Sequence, residues 1–289
     1  MIDVFNIPSS TQNTITFYAT GDWQTWNKPR NAKMIEIFCL GGGAGGAIAS
    51  VGVGSNGGGN GGCSSGIVRG IIPAFLLPDS LYILVGKGGA GSTGNATNGG
   101  VGGISYIGLQ PSISEQTLIC KSSTSTPNNS VTGPTISTVA LSAFGNLGLF
   151  TAIAGVGASA GGTSTPTQGG SQASLGTSII TGGGGGGGKT AATFAVGGNI
   201  TSASVILTSQ VNGGVTDAQD GDSGYGTLIP FCGTGGAGGA GRQGATGAGG
   251  RGGNGFYGCG GGGAGGGQTA TGTKGGDGGD GLVIITVIS

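Results

Sequence analysis

The chain has 289 residues, of which 76 are glycine, and its charged residues amount to only 7%, against a usual share of about 25%. Its 10 basic and 10 acidic residues balance, so there is no cationic surplus to neutralise nucleic-acid phosphates. It contains no histidine, which removes the commonest general base and the commonest metal ligand. The composition therefore disfavours an enzyme, a metalloprotein and a nucleic-acid-binding protein.

Short apolar segments bounded by proline and glycine predict β-strands along the chain. In chain order they are residues 14–18, 34–40, 67–72, 81–85, 105–109, 116–120 and 282–288. The segments 34–40 and 282–288 are apolar on both faces, apart from Glu36 in the first, so each favours a covered position in a sheet. We therefore predict that residues 33–40 and 282–289 share one sheet and close a single β-sandwich. No segment has the 3.6-residue apolar period of an α-helix.

The glycine tracts between these strands repeat with a period of three. Glycine occupies positions 235, 238, 241, 244, 247, 250 and 253, and a second series runs 260, 263, 266, 272, 275, 278 and 281. This is the period of the polyproline-II helix, and collagen is excluded because no proline follows Pro230. The pattern predicts a bundle of polyglycine-II helices that bond to one another and pack so closely that only glycine fits inside. A single helix over residues 235–255 would extend about 65 Å, so we expect turns within it, near residues 241–244.

The predicted fold is all-β, with little or no α-helix, in one glycine-rich domain over residues 1–289. We assign the small β-sandwich mainly to residues 14–40, 64–86, 104–120 and 282–289, and the polyglycine-II bundle with its loops mainly to residues 41–63, 87–103 and 121–281. The start of the chain has no basic or long apolar run of a signal peptide, and no apolar stretch is long enough to span a membrane. The five cysteines are widely spaced, which favours free thiols in a protein made in a cytoplasm.

Three motifs have both a chemical and a structural interpretation. Residues 183–190 (GGGGGGKT) match the phosphate-loop pattern, but a poor, short helix follows and no apolar strand ends in Asp. Residues 275–283 fit one copy of a calcium nonapeptide that requires stacked repeats. The cluster Asp217, Asp220 and Asp222 lacks the terminal Glu of an EF-hand. We therefore predict no catalytic residue, no metal and no cofactor.

Four aromatic residues interrupt glycine-rich sequence and are candidate receptor contacts: Phe194, Tyr225, Phe256 and Tyr257. An aromatic ring cannot fit inside a polyglycine bundle, so we expect these residues on its faces or loops. There they either contact a sugar or a protein or anchor the bundle against the sandwich. The sequence leaves both interpretations open.

The order of the segments resembles a known family. Residues 22–46 (DWQTWNKPRNAKMIEIFCLGGGAGG), residues 65–107 with SLYILVGKGGAG, and the closing residues 275–289 (GGDGGDGLVIITVIS) resemble the glycine-rich domain of phage tail-fibre and other virion structural proteins. Between about residues 121 and 232 a Ser/Thr-rich insert departs from the family pattern.

The resemblance implies a non-enzymatic virion protein, made in the host cytoplasm, of the tail-fibre or spike type, whose loops contact the host surface. The expected partners are other virion proteins, a host surface glycan or protein, and further copies of the chain, without nucleic acid or membrane insertion. We expect the contacting loops mainly from residues 121–232 and from Phe256–Tyr257. The alternatives are a capsid decoration or minor capsid protein, and an ice-binding or cell-surface glycine-rich structural protein.

Overall fold

The structure is a computed structural model that describes residues 12–49, 52, 54–126, 148–174, 180–202, 210–226, 233–269 and 273–289. Of the region expected to supply most loops, residues 127–147, 175–179, 203–209 and 227–232 lie outside the described residues. Within the described ranges there is no α-helix, and one short 3-10 helix spans Ala74–Leu76. The predicted all-β class is confirmed.

The strands form two antiparallel sheets and one short parallel pair. They are β1 (Gln12–Phe17), β2 (Gln24–Asn27), β3 (Met34–Leu40), β4 (Ile67–Pro73), β5 (Ser80–Leu84), β6 (Tyr106–Gly108), β7 (Leu118–Lys121), β8 (Phe150–Ile153), β9 (Gln172–Ser174), β10 (Ile200–Ser202) and β11 (Leu282–Ile288). One sheet has the order β1-β11-β3-β4-β8, the other has the order β2-β5-β6-β7, and β9 pairs with β10. The sequence did not predict β2, β8, β9 or β10.

The two antiparallel sheets pack face to face as a β-sandwich. Their inner faces share one apolar core, to which the first sheet contributes Phe17, Ile35, Ile37, Cys39, Val68, Ile72, Val283, Ile285 and Val287, and the second contributes Trp26, Leu81, Ile83, Ile107, Ile119 and Cys120. Along β3 and β11 these residues alternate, so every second side chain lies in the core.

The strands β3 and β11 pair directly and antiparallel, from Leu40 opposite Leu282 to Met34 opposite Ile288, which confirms the prediction that they share a sheet. Their second apolar face is covered at one end only. Here Phe38, Leu40, Ile67, Leu282 and Ile284 pack against Ile180, Cys259 and Tyr257, which belong to the glycine-rich part of the chain. The bundle is therefore docked on the outer face of this sheet.

The glycine tracts form a bundle of extended helices held by backbone hydrogen bonds. Along residues 258–267, successive N–H groups donate to three neighbouring segments in rotation. The pairs are Gly261 to Ala44, Gly262 to Gly253, Gly263 to Gly184, Ala264 to Ala47, Gly265 to Gly250 and Gly266 to Gly187, at 2.8–3.0 Å. The carbonyl groups accept from three further segments, through Gly59, Gly239 and Gly276. This helix is thus enclosed by neighbours on all sides, as the polyglycine-II prediction requires.

Successive helices run away from the sandwich and back to it. Residues 233–242 run outward and residues 248–255 return beside them, joined by hydrogen bonds such as Gly250 N–H to Ala240 O at 2.8 Å. The turn expected inside this stretch begins at Gly244, and Gly244 and Gly247 have φ values of 102° and 110°, which favour glycine. Each helix therefore extends only about 25–30 Å.

Close approach of neighbouring backbones explains the glycine content. A Cβ atom at Gly186 would lie 1.9 Å from the carbonyl oxygen of Ala264. The prediction that only glycine fits inside is nevertheless wrong at some positions, because Ala44, Ala237, Ala240 and Ala264 are fully buried in the bundle. At these places the helices stand far enough apart to leave room for a methyl group.

Candidate functional site

The turns at the outer ends of the helices form a surface that we call the distal loop face. Its described members are residues 93–96, 163–167, 190–194, 215–218 and 243–247. Each turn connects an outgoing helix to a returning one, so all of them lie at the end of the bundle remote from the sandwich. Residues 163–167 and 191–193 are exposed throughout. The face is rich in threonine and almost uncharged.

Hydroxyl and amide side chains fix the shapes of these turns. The Thr163 N–H donates to Thr167 Oγ1 at 2.7 Å, and the Thr193 N–H donates to Thr190 Oγ1 at 3.0 Å. In the next turn Gln219 Oε1 accepts from the backbone of Val215 and Thr216. Such side-chain bonds replace the backbone partners that a turn lacks. The turns are therefore ordered by their own sequence.

Two turns of the distal loop face hold alanine in the left-handed region. Ala96 has φ of 52° and Ala218 has φ of 56°. This conformation costs a non-glycine residue about 1–3 kcal/mol and concentrates at binding sites. The chain keeps alanine there although glycine, which it uses so widely, would relieve the strain.

The phosphate-loop motif is part of the bundle framework. The N–H groups of residues 183–188 donate to the carbonyl groups of Gly62, Gly236, Gly170, Gly59, Gly239 and Thr167 in turn, so none of them is directed at a phosphate site. Lys189 is fully buried, burial lowers the pKa of its amine, and its Nζ donates to Gly244 O at 3.3 Å. This hydrogen bond stabilises the turn at residues 243–247.

The four aromatic candidates do not all come together. Phe194 lies half-buried in the distal loop face. Tyr225 lies at the other end of the bundle, where it packs against Ile200, Val211 and Ala237. Phe256 and Tyr257 lie at that same end, with ring centroids 4.8 Å apart. The structure thus brings Phe194 to the distal loop face, Phe256 and Tyr257 to the junction with the sandwich, and Tyr225 to a separate apolar cluster at that same end of the bundle.

Sequence reasoning missed two groups of residues. Tyr18, which is 54% exposed, has its ring centroid 6.2 Å from that of Tyr257 and extends the aromatic cluster at the junction. The distal threonines were foreseen only as part of a long loop region. The sequence feature that could have predicted these turns is that a short Thr-rich or Asn-containing segment follows each glycine run of about three helical turns.

The aspartates of the calcium-like motifs accept backbone hydrogen bonds. Asp277 Oδ1 accepts from Gly91 N–H and Asp280 Oδ1 from Gly88 N–H, each at 2.7 Å. Asp220 Oδ1 accepts from Arg251 N–H at 2.7 Å. At these positions no further helix in the described part of the chain offers a carbonyl group, so a side-chain oxygen takes its place. No group of three or more metal-ligating side chains occurs among the residues that the structure describes.

Asp277 should make stability dependent on pH. Burial raises the pKa of its carboxyl, but the hydrogen bonds from Lys274 and from Gly91 N–H, and the Lys274 charge, outweigh it and leave the pKa below its usual value. The ionised form thus stabilises the fold above the unfolded pKa of about 3.9, and this stabilisation is lost as pH falls through the lower folded pKa.

Asp277→Asn keeps an oxygen acceptor for Gly91 but loses the charge. We expect the variant to be less stable than the natural protein at neutral pH and the difference to shrink in acid. Urea unfolding at a series of pH values measures it. A difference that stays constant between about pH 6 and pH 3 would contradict the assignment.

The remaining features bear on the kind of protein. Cys39, Cys63 and Cys120 are buried free thiols, Cys259 is buried, and Cys232 lies outside the described residues. Among the residues described, no helix has the length and apolar character needed to cross a bilayer.

Together, the fold and the surfaces define a β-sandwich protein that carries a polyglycine-II bundle ending in a loop face. The sequence model of the glycine-rich domain family matches residues 18–287. The chain therefore belongs to the glycine-rich domain family. Comparison with curated proteins gave no match.

Proposed function

We propose that the protein is a non-enzymatic virion structural protein, a tail-fibre or spike-type adhesin whose distal loop face contacts the host surface. The observation that supports this is the position of the loops relative to the far end of the sandwich. Gln12 begins β1 opposite Ile288 of β11, at the end of the sandwich away from the bundle. A particle attached there would present the distal loops outward.

The division between body and loops also supports an adhesin. The bundle interior tolerates little change, whereas exposed turns on a rigid scaffold can vary and bind. The chain has no net charge, so recognition rests on short-range contacts with hydroxyls, amides and the Phe194 ring. Binding should therefore change little with salt. A host surface glycan fits these groups, since sugars present hydroxyls and apolar ring faces.

The absence of catalysis is part of the proposal. The glycine N–H groups of the phosphate-loop motif are all used by the bundle, and the Lys189 amine is buried beneath a turn. Asp220, Asp277 and Asp280 each bind a backbone N–H. These contacts favour a structural role for the residues that had a chemical alternative.

Substitutions in the distal loop face should weaken host binding without unfolding the protein. Ser164 and Thr246 are exposed, so Ser164→Arg or Thr246→Arg adds bulk and charge at the surface only. We expect each to weaken binding to isolated bacterial lipopolysaccharide and outer-membrane preparations by at least about tenfold. Biolayer interferometry measures it, with Thr25→Arg on the exposed face of β2 as the matched control.

Immunogold labelling of purified particles tests the location. The proposal fails if the protein is missing from particles, or if Ser164→Arg and Thr246→Arg bind like the natural protein. Label over the capsid would favour the decoration or minor capsid alternative. Thermal hysteresis would favour the ice-binding alternative, against which stands the division of the distal threonines among separate turns.

A further inference from the structure

The sandwich carries a cavity at its free end, opposite the bundle. The cavity has a volume of about 550 Å³ and lies between the end of β2 and the short 3-10 helix. Its apolar wall comes from Pro29, Ala32, Ala74 and Phe75. Ile288 and Ser289 lie beside it, because Lys33 N–H donates to Ile288 O at 2.8 Å and Asn31 Nδ2 donates to Ser289 Oγ at 3.1 Å.

Phe75 is held in solvent by a rigid support. Its side chain is 83% exposed, although aromatic rings are normally covered. The turn beneath it is fixed because Lys28 Nζ donates to Ala74 O at 3.1 Å and also to Leu77 O. A further bond joins Ala74 N–H to Lys33 O at 2.8 Å. The backbone that carries the ring is therefore already ordered and loses little entropy when a partner covers the ring.

The charge around the cavity is mainly positive. Arg30, which lines the cavity, and Lys33, three residues further along the chain and outside the lining, are exposed and have no ion pair in the described part of the chain. Lys28 lies 3.5 Å from Asp79, whose side chain is 98% exposed and is the one carboxylate lining the cavity. An exposed aromatic ring beside an unpaired arginine is the usual composition of an interface centre.

We infer that this end of the sandwich is a docking surface for a segment of another protein subunit that carries apolar side chains and carboxylates. Apolar side chains of that segment fill the cavity against Phe75, and its carboxylates pair with Arg30 and Lys33. The surface faces away from the distal loops, so the protein can hold a neighbouring subunit at one end and leave the other end free.

A short fluorescent peptide of alternating leucine and glutamate is the probe, and its leucine–lysine counterpart is the control peptide. By fluorescence anisotropy with the full chain we expect saturable binding of the acidic peptide alone. Phe75→Ser, and the double change Arg30→Glu with Lys33→Glu, should each weaken it at least about tenfold. The control variants are Val101→Ser, at a side chain 56% exposed on the bundle, and Lys87→Glu, at an exposed lysine. Neither should change binding.

The inference is overturned if the acidic peptide fails to saturate, if both peptides bind alike, or if the cavity variants bind like the natural chain. Sedimentation provides a further check, since a dimer that Phe75→Ser dissociates would identify a second copy as the occupant and also overturn it. The two proposals can fail independently of each other, because different variants test them. Cavity variants should keep the binding to lipopolysaccharide that Ser164→Arg loses, and Ser164→Arg should keep the binding to the acidic peptide.

Discussion

Replacing Gly238 with alanine should strongly destabilise the bundle, and replacing it with valine should prevent it from folding. A Cβ atom there would lie 1.8 Å from the carbonyl oxygen of Gly185, on a neighbouring helix. That oxygen cannot move aside alone, because it also accepts the N–H of Gly198 at 2.7 Å. Relief requires the helices to separate, which breaks several hydrogen bonds in a region where no water replaces them.

We expect a loss of more than about 4 kcal/mol for Gly238→Ala, beyond ordinary overpacking, and insoluble protein for Gly238→Val. Urea unfolding followed by circular dichroism measures the alanine variant. Gly52→Ala is the matched control, since the nearest atom to its added Cβ is Asn56 Oδ1 at 3.8 Å. Similar stability of the two alanine variants would show that the helices are not packed as described.

Ser105→Ala should give the second largest loss of stability. Ser105 is fully buried where the sandwich meets the bundle. Its Oγ donates to Leu40 O at 2.6 Å and accepts from Gly86 N–H at 3.0 Å. Leu40 ends β3 and Gly86 follows β5. One hydroxyl therefore joins the two sheets at the point where both segments pass from the sandwich into the bundle.

The alanine variant leaves the Gly86 N–H without its partner in a place closed to water. An unsatisfied buried donor costs about 1–3 kcal/mol, and we expect a loss of about 2–3 kcal/mol. Equilibrium unfolding in urea measures it against Ser164→Ala, an exposed serine on a distal turn. A loss under about 0.5 kcal/mol would mean that another group takes over the bond.

The sequence predicted those parts of the fold that depend on local periodicity. The continuous apolar run in Met34–Leu40 and the period of three in the glycine tracts each report the neighbours of one segment, and each predicted the element that the structure has. The strand β8, which forms one edge of the first sheet, was not predicted because Phe150–Ile153 is short and mostly exposed. Buried Ala237 and Ala240 were missed for another reason: the spacing between particular helices depends on the whole lattice.

The candidate surfaces were less accessible to sequence reasoning. An aromatic residue in glycine-rich sequence must lie outside the bundle, but the sequence does not say at which end. Phe194 therefore received the same interpretation as Tyr257, although they lie at opposite ends. The cavity beside Phe75 was not predicted at all, because its walls come from the end of β2 and from the turn after β4, which become neighbours only when the sheets pack.

The alternating direction of the helices has a consequence for how such a domain changes in size. Any chain that leaves the sandwich along the bundle must return to it, so an insertion is accommodated as one outgoing and one returning helix with a turn between them. Asp277 and Asp280 mark places where a side-chain oxygen completes the edge of the bundle. A new pair of helices along that edge would offer backbone carbonyl groups at the same spacing of three residues. These carbonyls would accept the N–H groups that the two aspartates accept here. The domain can thus widen by whole hairpins, each bringing one more turn to the outer surface, while the sandwich keeps its sequence.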